Sequence, residues 1–179
     1  MRTAVALFLV AAAGLAADSV PVSRIFDGQL STLEGEVVPL AEAMPTDKYG
    51  FAPANGEFKG ARTFGQQVSH LAAVIYMVSA AALGEKNPSE PGPGENGPAR
   101  LKTKDDIVKY LKDSLAYAHQ AMRSLTEKNL TEAVPSPFGD GTMSRVSAAS
   151  IAVWHSFDHY GQMAVYARLN GIIPPASRR

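Results

Sequence analysis

The amino-acid sequence predicts an all-α fold, a four-helix bundle with irregular connecting loops. Three observations carry that prediction. Four stretches of about 20 residues place apolar side chains at helical spacing. No stretch alternates as a convincing strand, and the connecting segments are dense in Gly and Pro. At 179 residues the chain is long enough for one domain with a sizeable core.

The first segment reads as an address. Arg2 precedes an apolar run from Thr3 to Ala13, which closes on Gly14-Leu15-Ala16. A positive start, a short apolar stretch and a small-residue end are the parts of a secretory signal peptide. The run falls short of the ~20 apolar residues that span a bilayer; its retention as an anchor is the alternative. Cleavage after Ala16 would leave residues 17–179 as the bundle domain, periplasmic or extracellular. The chain has no cysteine at which a lipid could be attached.

The first helix is expected from Arg24 to Ala43, where Ile25, Phe26, Leu30, Leu33, Val37 and Leu40 share a face. It ends at Met44-Pro45, because the residue before proline is pushed out of helical geometry. A loop from Pro45 to Ala61 follows, with Tyr49, Phe51 and Phe58 as anchors. The second helix, Thr63 to Leu83, carries two adjacent apolar stripes, one with Phe64, Val68, Leu71, Ile75 and Val78, the other with His70, Val74, Met77 and Ala81. An arc that wide fits a helix touched on two sides. Residues 84–98 hold four Gly and four Pro, which makes a loop.

Thr103-Lys104-Asp105-Asp106 starts the third helix, with a hydroxyl at the N-cap and carboxylates against the helix dipole. Ile107, Leu111, Leu115, Ala118, Met122 and Leu125 mark its buried face. After a loop from Thr126 to Thr142, the fourth helix runs from Ser144 to Asn170 and stops at Gly171, ahead of Pro174-Pro175. Ile151, Trp154 and Val165 read as its packing residues.

Charge and composition narrow the function. Seventeen basic and 17 acidic side chains cancel, which argues against a nucleic-acid surface. The absence of cysteine removes disulfides, thiolate metal sites and thiol nucleophiles. Metal chemistry, if any, must use histidine and carboxylate.

His155 and His159 stand one turn apart on the same face of the fourth helix, so two imidazoles can converge on one ion. Ala148 and Ala152 leave space beside them, and Gln162 and Tyr166 continue the stripe. The metalloprotease pattern is absent, because Ser156 stands where its glutamate would be. His70 sits in an apolar stretch of the second helix and would complete a three-imidazole Lewis-acid site. The competing reading makes each of the three a histidine bonded to a neighbour in an amphipathic groove. His119 is assigned to the surface.

Two segments resemble a known family. Thr63-Phe64-Gly65-Gln66-Gln67-Val68-Ser69-His70 resembles the second-helix motif of the DinB-like (damage-inducible) superfamily. His155-Ser156-Phe157-Asp158-His159-Tyr160-Gly161-Gln162 resembles its His-x3-His signature with a following Gly-Gln pair. Ala41 to Pro45 and the tail from Tyr166 to Ser177 also fit, the tail being similar to exported members. The resemblance implies a four-helix bundle with one divalent ion held by His70, His155 and His159; zinc and nickel both suit imidazole ligands, with iron as the further candidate. It further implies metal-dependent thiol transferases or isomerases. Low-molecular-weight thiols are scarce in an oxidising compartment, which leaves hydrolysis or plain metal binding open.

Geometry adds Asp158, three residues after His155, as an acceptor for its free ring N–H. Gln162 can orient a bound water or ligand, or bond between helices. Gly161 lets another helix approach, and Arg168 either anchors an anion or offsets the helix dipole. No catalytic residue is assigned, since no carboxylate shares the histidine stripe. The leading reading is an exported, metal-dependent enzyme of hydrolase or thiol-transferase type acting on a small molecule. The alternative is a noncatalytic bundle that binds a ligand or partner, its metal structural or absent. A homodimer through an apolar arc on the first or third helix is a further expectation.

Overall fold

The computed structural model describes residues 19–178 except 55, 57 and 58. The expected signal segment Met1–Ala16 and the expected anchor Phe58 lie outside the described residues. Four helices make up the bundle: α1 (Val22–Ala43), α2 (Phe64–Leu83), α3 (Lys104–Arg123) and α4 (Arg145–Leu169). α1 and α2 each pack against both α3 and α4. That pattern puts α1 diagonal to α2.

The caps follow from the residues at the boundaries. Thr63 accepts from the Gln66 amide while the Gln66 side chain accepts from the Thr63 amide, and Thr103 and Asp106 repeat the arrangement on α3. The preceding loop takes up the next exposed amides of α2: Phe64 N donates to Phe51 O at 2.8 Å and Gly65 N to Tyr49 O at 2.8 Å. Tyr49 donates its hydroxyl to Ala41 O at 2.7 Å, which ties this loop to α1. The start of α2 is therefore held from two sides, seven residues before His70.

The core is continuous through Leu33, Val37, Leu40, Leu71, Ile75, Leu111, Leu115 and Met163. By length and composition α2 could cross a membrane, but 83% of its apolar window is buried inside the bundle. A core helix has that character. On α1, Ile25 is solvent-exposed rather than buried; Val22 and Phe26, in the same turn, are the residues that pack against the core.

Three expectations are corrected. Two short strands exist, β1 (Ala133–Pro135) and β2 (Thr142–Ser144), paired antiparallel with Val134 opposite Met143. Three residues are too few for an alternating pattern to be read; Val134 turns inward, onto Ala81, Ala82 and Ala148, with Met143 packed against the same cluster. His119 is not a surface residue. It lies between α1 and α3, with Nδ1 2.6 Å from an Asp27 oxygen and Nε2 3.1 Å from a Glu34 oxygen. Its polar partners sit on another helix, beyond the reach of spacing arguments. Trp154 and Val165, expected to pack, are 58% and 52% exposed. The inward side of α4 is instead filled by Met163 and by the small side chains of Ala148, Ala152 and Ala167.

Candidate metal centre

α2 and α4 lie side by side and bring three histidines together. The ring centroids of His155 and His159 are 4.5 Å apart, those of His70 and His159 4.7 Å, and those of His70 and His155 5.3 Å. One ligand atom from each falls within 4.8 Å of the others. His70 and His159 are buried and His155 is half-buried. The Nε2 atoms of His155 and His159 are 3.2 Å apart. Two ligand nitrogens at about 2.05 Å from one ion in tetrahedral geometry would stand about 3.3 Å apart.

The hydrogen bonds behind the rings point the lone pairs inward. His70 Nδ1 lies 3.0 Å from Glu95 O. A carbonyl only accepts, so Nδ1 carries the proton and Nε2 is free. The His159 side is fixed from further away. Asp158 accepts from Gln162 Nε2 at 3.1 Å, and Gln162 Oε1 accepts from Gln67 Nε2 at 3.0 Å. Gln67 Oε1 then meets His159 Nδ1. Because an ionised carboxylate cannot donate, each amide in this chain has one orientation, and His159 presents Nε2 with its lone pair to the cluster. The Nδ1 atom of His155 is buried with no partner among the described residues.

The roles of two expected residues differ accordingly. Asp158 does not take up the His155 Nδ1–H. Its carboxylate is engaged one turn along α4 by Gln162 and acts through His159. Gln162 makes the bond between helices rather than facing the cluster. Gln67 was missed by sequence reasoning, although its position three residues before His70 on the same face of α2 was the available signal.

The loop between α2 and α3 supplies the other missed residues. Gly92, Gly94, Glu95 and Gly97 all have positive φ, and Glu95 at 57° is the one non-glycine residue so placed among those described. A Cβ on Gly92 would lie 1.9 Å from Gly97 O, so this coil closes only on glycine. Arg62 clamps it, donating from Nε to Asn96 Oδ1 at 2.8 Å and from Nη2 to Gly94 O at 3.0 Å. The left-handed turn aims the Glu95 carbonyl at His70 and leaves its carboxylate 3.9 Å from the same Nδ1. A Gly- and Pro-rich composition announces a loop but not where it lands.

Burial holds the three imidazoles neutral. His159 is pushed down to about 3 by desolvation, then by His155, His70 and the Arg62 guanidinium. His155 is pushed down to about 4 by desolvation and His70, against the opposing pull of Asp158 and Glu95. His70 is lowered by desolvation and Arg62, partly offset by its bond to Glu95. Neutral imidazole is the form that ligates a metal. The convergent lone pairs, the orphaned Nδ1 of His155 and the all-nitrogen donor set fit a divalent ion. Three ligands leave at least one coordination position for water or substrate.

The remaining expectations fall elsewhere. Arg168 bonds Ser177 Oγ at 3.0 Å near the end of α4. Gly161 faces open space. A cleft of about 310 Å³ between the end of α2 and the hairpin, lined by Met77, Ala81, Pro135 and Pro137, shares no residue with the histidine cluster.

The family model of the DinB superfamily matches residues 29–163. The chain is similar in fold to a DinB-like protein from Bacillus cereus ATCC 10987, at 18% identity and a TM-score of 0.65, over 84% of this chain and 93% of that one. It is also similar to a DinB-like protein from Bacillus subtilis, at 18% identity and a TM-score of 0.62, over 82% and 92% of the two chains. No curated protein matches it.

Proposed function

The chain belongs to the DinB superfamily, and from that premise we propose that it binds one divalent metal ion through His70, His155 and His159 and uses it as a metal-dependent enzyme. The observation that carries the reading is the convergence of three ring nitrogens within 4.8 Å, with the outer nitrogens of His70 and His159 committed to acceptors. Zinc and nickel suit three imidazoles, and iron is the next candidate. When bound, the ion supplies Lewis-acid activation of a substrate oxygen, of water or of a thiol.

The protein's own groups would do the rest. Asp158, Gln162 and Gln67 hold His159 in one tautomer, and Glu95 holds His70. Arg62 adds a fixed positive charge near the site, opposed by the Glu95 carboxylate 3.9 Å from His70. The apolar walls of α2 and α4 keep the imidazoles neutral. Hydrolysis is favoured over thiol transfer if the first 16 residues direct export, because thiol cosubstrates are scarce outside the cytoplasm. Mass spectrometry of the mature chain tests that premise, with an N-terminus at Ala17 expected.

Elemental analysis of purified protein beside a His70→Ala, His155→Ala variant tests the site. About one equivalent of divalent metal in the native chain, and none in the variant, is expected. The single tryptophan, Trp154, has its ring 6.0 Å from that of His155. Nickel or cobalt added to the metal-free chain should quench its emission. No metal in either protein, even after reloading with zinc and nickel, and no quenching would overturn the reading. Catalysis is tested by His155→Ala: a folded bundle without turnover on substrates found by screening supports it. Undiminished turnover would make the metal structural.

A further inference from the structure

α4 buries one side in the bundle and leaves a second side apolar and uncovered among the described residues. Trp154 is 58% exposed, Val165 52% and Leu169 61%, with Phe157 also exposed. Gly161 sits among them, and a Cβ built on it would meet nothing within 4 Å. A solvated face of a helix normally carries polar residues. This one has a defined order instead. Trp154, Phe157, Gly161, Val165 and Arg168 are all exposed and follow one another at spacings of three, four, four and three. At 100° per residue they form one stripe, and the spacing reads the same in both directions from Gly161.

We propose that this stripe is a self-association surface, on which a second copy of the chain lays its α4 antiparallel, with the two-fold axis through Gly161. An isologous contact requires a patch that complements itself, and a palindromic spacing is the form such a patch takes on a single helix. Under that axis Phe157 meets the partner's Val165 on both sides of the crossing. Trp154 meets the partner's Arg168, a guanidinium over an indole. Gly161 meets itself, where the absence of a side chain lets the backbones close. Asp158 and Gln162 lie at the rim.

The size fits. Trp154, Phe157, Val165 and Leu169 together expose on the order of 400 Å² of apolar surface per copy, within the range of the largest patches on single proteins. A standard interface takes about 800 Å² from each partner, so about half would have to come from exposed polar neighbours such as Asp158, Gln162 and Arg168. The seam would run beside the histidine cluster, since Trp154 adjoins His155. The proposal does not depend on a metal being there.

The chain has no cysteine, so a single introduced thiol reports cleanly. The full chain at tens of micromolar should scatter light as a dimer. Gly161→Cys should form an interchain disulfide under mild oxidant, because only residues on the axis bring two identical Cα atoms within about 7 Å. Gln120→Cys, exposed on α3, should not. Val165→Glu should weaken the dimer at least tenfold with an unchanged helical circular-dichroism signal, and Trp154 emission should shift to the red as the dimer dissociates. A monomer at tens of micromolar overturns the proposal, as does a dimer indifferent to Val165→Glu, or a Gly161→Cys chain that cross-links no faster than Gln120→Cys. A monomer whose Trp154 is shielded from iodide would put the N-terminal apolar segment on this face instead, and equally overturns it.

Discussion

Acid should destabilise the metal-free chain through its buried histidines before it protonates most carboxylates. In the unfolded chain a histidine titrates near 6.5. In the fold His159 is held down at about 3 and His155 at about 4, chiefly by desolvation. The unfolded state therefore binds more protons across the window between those values, and stability falls as pH falls from about 6.5. For a group that stays neutral in the fold the penalty is RT ln(1 + 10^(6.5 − pH)), about 0.2 kcal/mol at pH 7 and about 2 kcal/mol at pH 5. His159, almost fully buried, should carry nearly all of that 2 kcal/mol; half-buried His155 should carry a smaller share. His70 is shifted in the same direction. His159 and His155 together should contribute about 3 kcal/mol, a large part of the 5–15 kcal/mol of an ordinary domain. Urea midpoints in EDTA at pH 7, 6 and 5 measure it, with His159→Gln as the comparison. The variant should lose about 2 kcal/mol less than the native chain over that range, and acid effects elsewhere cancel in the difference. Parallel curves would refute the claim that His159 is buried neutral.

Three further outcomes are expected. Gln67→Leu removes the acceptor for the His159 Nδ1–H and should weaken zinc binding about 10–100-fold in a chelator competition; unchanged affinity would mean that the relay from Asp158 does not orient the ring. Gly92→Ala places a Cβ 1.9 Å from Gly97 O, so the coil must open and His70 must lose the Glu95 carbonyl. Faster metal release, with a stability loss of about 1–3 kcal/mol, is expected, and native release kinetics would count against any part for this loop at the site. Leu71→Ala deletes a fully buried side chain one residue after His70. It should cost about 2–5 kcal/mol by thermal or urea denaturation, and a cost below about 1 kcal/mol would contradict the packing described.

The helices were legible because their information is local. Leu30, Leu33, Val37 and Leu40 repeat at the helical period, and Thr103 with Asp106 announces a start by its own chemistry. The histidine cluster was half legible. His155 and His159 are one turn apart in any α-helix, whereas the arrival of His70 depends on α2 lying beside α4. Nothing local specifies that. The supporting residues were harder still. Glu95 and Arg62 reach the site through a coil set by three glycines at positive φ, and composition reports only that such a segment is no helix. Asp158 was assigned to the wrong histidine because spacing along one helix ignores a better partner, Gln162, already tied to Gln67 on α2. Trp154 and Val165 were misplaced for the same kind of reason: an apolar residue signals a surface to be covered, without saying by what.

The burial that makes the metal-free chain sensitive to acid should make its metal affinity insensitive to it. An ion competes with protons for the lone pairs of its ligands. Three histidines with an ordinary pKa of about 6.5 would each be about 90% protonated at pH 5.5, and that competition would lower the affinity by about a thousandfold relative to pH 7.5. Here two of the three are already proton-free at pH 5.5, with values of about 4 and 3. His70, also lowered, contributes at most about tenfold. The apparent Kd for zinc or nickel on the folded chain should therefore change by no more than about tenfold between pH 7.5 and 5.5. Competition against a chelator of known proton affinity measures it, with circular dichroism at each pH to show that the bundle is intact. A loss approaching a thousandfold on a folded chain would mean that the imidazoles are solvated and carry protons. The cluster would then be an open groove that has to be assembled by the ion, rather than a site held ready for it by the apolar faces of α2 and α4.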